Sequence, residues 1–209
     1  MDIRNYFQPK PREFAPKMFP LDHESYIEQG PLPQSLRNYD FQKLWRLHPE
    51  EYGEVKYMGK IVKTPRWQQS YLNSYVYSGM RHEALPLPIE FQPFLDWANT
   101  SDPKIQYNQV VINWYANGHH YIGAHSDDEK QLVKDSPVLA ISLGQERVLR
   151  VRCKRTNDQV IDVPMPSNTY LVMGGKMQER YLHEIPKVNG MKGAEIGKRI
   201  SITFRVFAT

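Results

Sequence analysis

His125-Ser126-Asp127 sets an imidazole and a carboxylate two positions apart. On a strand, positions i and i+2 share a face, so one ion could receive both side chains. A second imidazole must then come from a distant strand. His183, in RYLHEIP, is the candidate, because it sits in a strand-like segment late in the chain. Two histidines and one carboxylate on one side of an octahedron form the site that non-haem Fe(II) oxygenases use, with the other positions left for cosubstrate and dioxygen. An HxD triplet is a short pattern, and it gains weight only from what accompanies it.

RISITFRVF (199–207) accompanies it. One parity holds Ile200, Ile202, Phe204 and Val206, and the other holds Arg199, Ser201, Thr203 and Arg205. A half-exposed strand would alternate in the same way. The two arginines, however, span about 20 Å of strand at ~3.3 Å per residue. Their long side chains could converge on opposite ends of a small dicarboxylate, since a planar guanidinium binds a carboxylate through paired hydrogen bonds.

These residues need a scaffold, and the chain has the material for one. It contains 209 residues, 40% hydrophobic, with 13 Tyr, 8 Phe and 4 Trp. The net charge of +4 permits a polyanionic partner without requiring one. Cys153 is the single cysteine, which excludes an intrachain disulfide and suggests a reducing, intracellular setting. No apolar run is long enough to span a bilayer, and no signal peptide opens the chain. From Gln109 onward, short β-branched runs follow one another: QVVINWYA, PVLAISLG, RVLRVRC, QVIDVP, TYLVMGG and RISITFRVF. Such spacing predicts a sandwich or barrel. Upstream, SLRNYDFQKLWRLH (35–48) reads as a helix capped by Ser35, and EVKYMGKIVKTPRW (54–67) as a hairpin about Gly59. YLNSYVYSG (71–79) reads as one strand, and Pro88 to Asn99 as a further helix. The expected fold is mainly β with α (α+β), a double-stranded β-helix or jelly-roll core with N-terminal helices and a hairpin lid. The expected domains are a flexible basic arm over 1–20 and one domain over 21–209, with 50–107 as lid and support helix and 108–209 as the core.

Together, Asn113-Trp114-Tyr115, His125-Ser126-Asp127-Asp128-Glu129, His183, Arg199-x5-Arg205, PRWQQSY (65–71) and the Ser78-Gly79 pair resemble the AlkB-like Fe(II)/2-oxoglutarate dioxygenases over roughly residues 50–207. The resemblance implies that His125, Asp127 and His183 hold Fe(II). It implies that Arg199 and Tyr115 take the far carboxylate of 2-oxoglutarate. Arg205 and Asn113 would take its chelating end, and Thr203 would face the same pocket. His119 and His120 have no place in the pattern and are expected in a loop. The implied reaction is hydroxylation of a methyl group on a base nitrogen, of the 1-methyladenine or 3-methylcytosine type. Succinate, carbon dioxide and formaldehyde are released, with ascorbate supporting turnover. The protein's share is to orient that methyl group.

A base in a duplex must be flipped out to react. By the same resemblance Tyr77 lies over the flipped base and Tyr75 sits near it, while Asp128 and Glu129 match acids of duplex-DNA-active members and suit a cationic base. Core packing for the tyrosines and a solvated turn for the acids are the plainer alternatives. Met58, at the hairpin tip, falls where such relatives carry a wedge residue, although an aromatic is the nearer pattern. Leu72 departs from a Gly frequent in relatives. RVLRVRCKR puts Arg150, Arg152 and Lys154 on one strand face, followed by Arg155, as candidate phosphate contacts or simply a wet face. Ile3, Tyr6 and Phe7 have the spacing of a peptide, here residues 1–8, that binds a DNA sliding clamp (PCNA), a short turn presenting three apolar anchors. The expected protein is a monomeric DNA demethylase acting in the nucleus or at sites of replication, with no membrane partner. An RNA demethylase, a protein hydroxylase and a clamp-recruited module without catalysis are the alternatives.

Overall fold

The computed structural model describes residues 15–77 and 79–208; the side chains of Tyr57 and Tyr77 lie outside that description. The first strands are β1 (Lys17–Pro20), β2 (Ser25–Pro31), β3 (Glu54–Tyr57), β4 (Lys60–Lys63), β5 (Trp67–Tyr71), β6 (Tyr75–Tyr77), β7 (Met80–His82) and β8 (Ala84–Leu85). The rest are β9 (Gln109–Tyr115), β10 (Ile122–His125), β11 (Val138–Gly144), β12 (Arg147–Cys153), β13 (Gln159–Met165), β14 (Thr169–Gly175), β15 (Tyr181–Ile185) and β16 (Arg199–Arg205). Among the described residues four α-helices, α1 (Phe41–Trp45), α2 (Gln92–Ser101), α3 (Met177–Arg180) and α4 (Gly190–Glu195), lie between them. None is long and apolar enough to cross a membrane.

Two sheets face each other as a jelly roll. The larger runs β1-β2-β14-β11-β16-β9-β5-β8 and the smaller β10-β15-β12-β13. Val138, Leu149, Val151, Val163, Leu171, Met173 and Ile185 fill the layer between them. A second layer, with Leu44, Trp45, Phe91, Phe94, Trp114, Ile200, Ile202 and Phe204, packs α1 and α2 on the outer face of the large sheet. Every residue of β9 is therefore buried, and β16 is nearly so. The alternation in β16 sorts residues between two cores rather than between core and water. Ile200, Ile202 and Phe204 meet the helices, and Arg199, Ser201, Thr203 and Arg205 line the space between the sheets.

Several local expectations are corrected. Residues 35–48 do not form one helix. A 3-10 turn over Gln34–Leu36 is followed by α1, and Asp40 rather than Ser35 caps it by accepting from the backbone N–H groups of Gln42 and Lys43. The carboxylate satisfies two of the orphan donors that any helix start exposes. Lys17–Pro20, expected in the free arm, pairs with Tyr26–Gln29 as an edge strand. Residues 71–79 are not one strand: Leu72 turns the chain at φ +70 between β5 and β6. A left-handed conformation costs a leucine what it would not cost a glycine. The hairpin about Gly59 does form, and Met58 (φ 48) and Gly59 (φ 78) are its two turn residues. Two positive φ values suit the right-handed twist of a tight hairpin.

Candidate metal and cosubstrate site

Antiparallel pairing of β10 with β15 sets His125 directly opposite His183, with ring centroids 4.3 Å apart. Asp127 lies two residues past the end of β10. The three side chains offer ligand atoms all within 4.8 Å of one another. His125 Nδ1 meets the Gly123 carbonyl at 2.9 Å, so a proton donated there leaves Nε2 with its lone pair. Burial, with His125 alongside, pulls the His183 imidazole down to about 3. Burial likewise lowers His125. Both rings are neutral at physiological pH, as a ligand must be. Burial alone would raise Asp127, but Arg205, His183 and His125 hold it below the usual carboxylate value. Asp127 Oδ2 and His183 Nδ1 are buried without a hydrogen-bond partner. Two neutral imidazoles and one anion, with donor atoms unspent, fit a divalent first-row metal bound on one side only.

The cations stand around this centre. Arg205 Nη2 donates to Asp127 Oδ1, and Arg205 Nη1 lies 3.3 Å from Glu129 Oε1. Its Nε and Nη1 make no hydrogen bond. Arg199 is deeper, 1% exposed. Its Nε donates to Ser142 Oγ at 3.1 Å, its Nη1 has no partner, and its guanidinium lies 5.2 Å from the centroid of the Tyr115 ring. No carboxylate among the described residues forms an ion pair with it. Burial lowers its affinity for the proton, yet guanidinium stays charged at any ordinary pH. A buried, unpaired cation is costly and calls for an anion. Tyr115 and Asn113 come from β9, facing Arg199 and Ser201 in register. Thr203 lines the same cavity.

A polar relay that sequence reasoning missed completes the wall. Arg66 Nε donates to Asn113 Oδ1 at 2.7 Å and its Nη2 to Gln68 Oε1 at 2.6 Å. Gln68 Nε2 donates to the Tyr75 hydroxyl at 2.6 Å. The available signal was the parity of PRWQQSY, where Arg66, Gln68 and Ser70 share a side and are buried. Arg147 was missed as well. It is buried and donates to the carbonyls of Asn117, Gly118, His120 and Pro186, tying the chain before β10 to the chain after β15.

The other predicted residues scatter. Tyr75 is buried beside Arg205; Tyr77's side chain and Ile3, Tyr6 and Phe7 lie outside the described residues. Asp128 is exposed at the mouth, accepting from the Ser126 hydroxyl and paired with Lys154. Glu129 is buried instead, and burial raises its carboxyl against the pull of Arg205. Met58 stands 86% exposed on its turn, away from any core. Arg150 and Arg152 share a face as expected, but each is already held by a carboxylate, Asp162 and Glu184 respectively. Arg155 is exposed. His120 packs against Tyr52 and Trp67, and His119 meets the Gly190 carbonyl, so neither joins the centre.

Residues 30–205 match the 2OG-Fe(II) oxygenase superfamily, and the chain belongs to it. It is therefore of the AlkB-like dioxygenase class, whose cofactors are Fe(II) and 2-oxoglutarate. Among curated proteins it is 26% identical over 161 residues to the human DNA oxidative demethylase ALKBH2, covering 72% of this chain and 60% of that one. It is 26% identical over 223 residues to the Arabidopsis thaliana protein of the same name, covering 91% and 69%. The chain thus spans about 60% of the human relative's length. The solved structure of OsALKBH1 superposes with a TM-score of 0.60 at 15% identity, over 90% of this chain and 99% of that one, which supports the shared fold.

Proposed function

We propose that this protein removes methyl groups oxidatively from alkylated bases of the 1-methyladenine and 3-methylcytosine type, in DNA. The observation that carries the reading is Arg199, a buried cation without a carboxylate partner among the described residues, in the same cavity as the His125–Asp127–His183 cluster. The similarity to two DNA oxidative demethylases supplies the substrate class.

In this reading His125, Asp127 and His183 hold the iron, which with 2-oxoglutarate and dioxygen supplies the hydroxylation of the methyl group. Arg199 and Tyr115 take one carboxylate of the cosubstrate, and Arg205 and Asn113 the other end. Arg66 fixes Asn113 and, through Gln68, the hydroxyl of Tyr75. Tyr75, Tyr77, Asp128 and Glu129 bound the place of the base, with Asp128 at the lip offering a carboxylate to a cationic ring. Met58 fills the gap left in a duplex. The basic residues of β12 guide the backbone only to the extent that their carboxylate partners release them. A DNA substrate places the protein where DNA is kept, and Ile3, Tyr6 and Phe7 would bring it to a sliding clamp. A pull-down that survives Tyr6→Ala and Phe7→Ala removes that last element.

The test is repair of an oligonucleotide carrying 3-methylcytosine, single-stranded and in a duplex, with Fe(II), 2-oxoglutarate and ascorbate. Formaldehyde release that disappears in His183→Ala is expected. Activity on the duplex supports repair of DNA, activity confined to single strands moves the substrate towards RNA or exposed DNA, and none on either defeats the reading.

A further inference from the structure

The three ligand positions are not held alike. His125 and His183 are fixed by the β10–β15 ladder, each opposite the other. Asp127 lies beyond the ladder, on the Ser126–Glu129 loop, with no strand neighbour to bond its backbone. Its N–H is bonded instead to a side chain 51 positions away: Gln178 Oε1 accepts it at 2.9 Å. We propose that Gln178 is a positioning residue for the metal centre, its amide oxygen doing for the carboxylate ligand what strand pairing does for the two histidines. The proposal rests on the reading of His125, Asp127 and His183 as ligands.

The amide is itself held. Gln178 Nε2 reaches Met173 Sδ at 3.6 Å, which leaves the oxygen turned to Asp127. Gln178 sits on α3, four residues long, and a single turn does not persist without support. Support comes from three sides. Met177 is fully buried in the inter-sheet core. Arg180 pairs with Asp22 at 3.1 Å and with Glu24, while the Lys176 N–H bonds the Glu24 carbonyl at 3.0 Å, so the β1–β2 turn clamps the helix. Lys154 Nζ donates to the Gln178 carbonyl at 3.0 Å and lies 3.3 Å from Asp128, closing the ring back onto the ligand loop. Groups of this kind, which touch a ligand and not the metal, typically change metal affinity about 10–100-fold when removed.

The experiment is calorimetric titration of Mn(II) into the metal-free full chain, for wild type, Gln178→Met, Gln178→Glu and His183→Ala. Met keeps the length and loses the acceptor; Glu keeps an oxygen that can accept the same N–H. One Mn(II) site in wild type, lost in His183→Ala, supports the ligand reading, and no such site defeats that reading independently of Gln178. Given that site, Gln178→Met binds Mn(II) about 10-fold or more weakly, with an unchanged melting temperature of the metal-free protein, and Gln178→Glu restores binding. Equal affinity in all three folded proteins overturns the proposal. So does equal loss in Met and Glu, because any change of side chain would then suffice. Should Gln178→Met not fold, Gln178→Leu gives the same contrast with Gln178→Glu.

Discussion

Strands β12 and β16 both carry two arginines of one parity, Arg150 and Arg152 two residues apart and Arg199 and Arg205 six apart, and on paper they are the same kind of ribbon. In three dimensions they differ in what the charges have to do. On β12, Arg150 donates from Nε and Nη2 to both oxygens of Asp162, at 2.9 and 2.8 Å, and Arg152 meets Glu184 at 2.9 Å. On β16, Arg199 has no carboxylate partner among the described residues, and Arg205 holds Asp127 of the metal cluster and Glu129 beside it while leaving Nε undonated. Arg150 and Arg152 are thus spent within the sheet. The inner strand's cations are kept dry and incomplete, and an incomplete buried cation is what a carboxylate-bearing cosubstrate requires.

That contrast can be broken at several places, and the largest effect is at the metal cluster the inner strand serves. His183→Ala should abolish formaldehyde release while the protein still folds, since the substitution removes a ligand and no core packing on the helix side. Retained turnover would remove His183 from the metal chemistry.

Next in size is Arg66→Met. It strands Asn113 Oδ1 and Gln68 Oε1, both bonded to the guanidinium and both in buried residues. At about 1–3 kcal/mol for each unsatisfied group, a loss of roughly 2–6 kcal/mol in urea unfolding is expected. A neutral result would mean that the relay is surplus to the wall of the cavity.

A third consequence concerns acid. His183, His125 and His120 all have imidazoles lowered by burial from the ordinary 6.5. The unfolded chain therefore takes up protons near 6.5 that the folded chain refuses. The stabilisation from keeping these rings neutral is complete above 6.5 and is lost as pH falls from there towards the folded values. The metal-free protein should melt lower at pH 5.5 than at pH 7.5, and His183→Leu should shallow that slope. A slope identical to wild type would show that His183 takes up its proton in the fold as easily as out of it.

Smallest is the outer strand. Arg150→Gln with Arg152→Gln should cost about 1 kcal/mol per pair, near the upper end for surface ion pairs because both pairs are partly buried. The salt dependence of DNA binding separates two roles for these residues. An unchanged slope means they stay with Asp162 and Glu184, and a shallower one means that phosphate displaces those carboxylates.

The cavity side of this comparison was legible in the sequence because its information is local. Parity within RISITFR, the HSD triplet and the placement of His183 in a strand each depend on one short segment. The partners of β12 were not legible, because Asp162 and Glu184 reach Arg150 and Arg152 through the register of β13 and β15, and register is set by the whole sheet. Gln178 was hidden for the same reason, its bond to Asp127 spanning the loop and α3. The local errors have local causes. Asp40 caps α1 in place of Ser35, and Leu72 takes a left-handed turn that its side chain would not suggest. In Met58 a positive φ falls on the two-residue turn of the hairpin, where the right-handed twist of the paired strands calls for it.

The measurement that bears most directly on the difference between the two strands is calorimetric titration of 2-oxoglutarate into the Mn(II)-loaded protein, comparing wild type, Arg199→Gln and Arg152→Gln. The account predicts that Arg199→Gln weakens binding by about 100-fold, the loss of a charge-assisted pair worth roughly 3 kcal/mol, while Arg152→Gln binds as wild type does. Equal affinity in wild type and Arg199→Gln would contradict it, and the buried arginine of β16 would then need another anion.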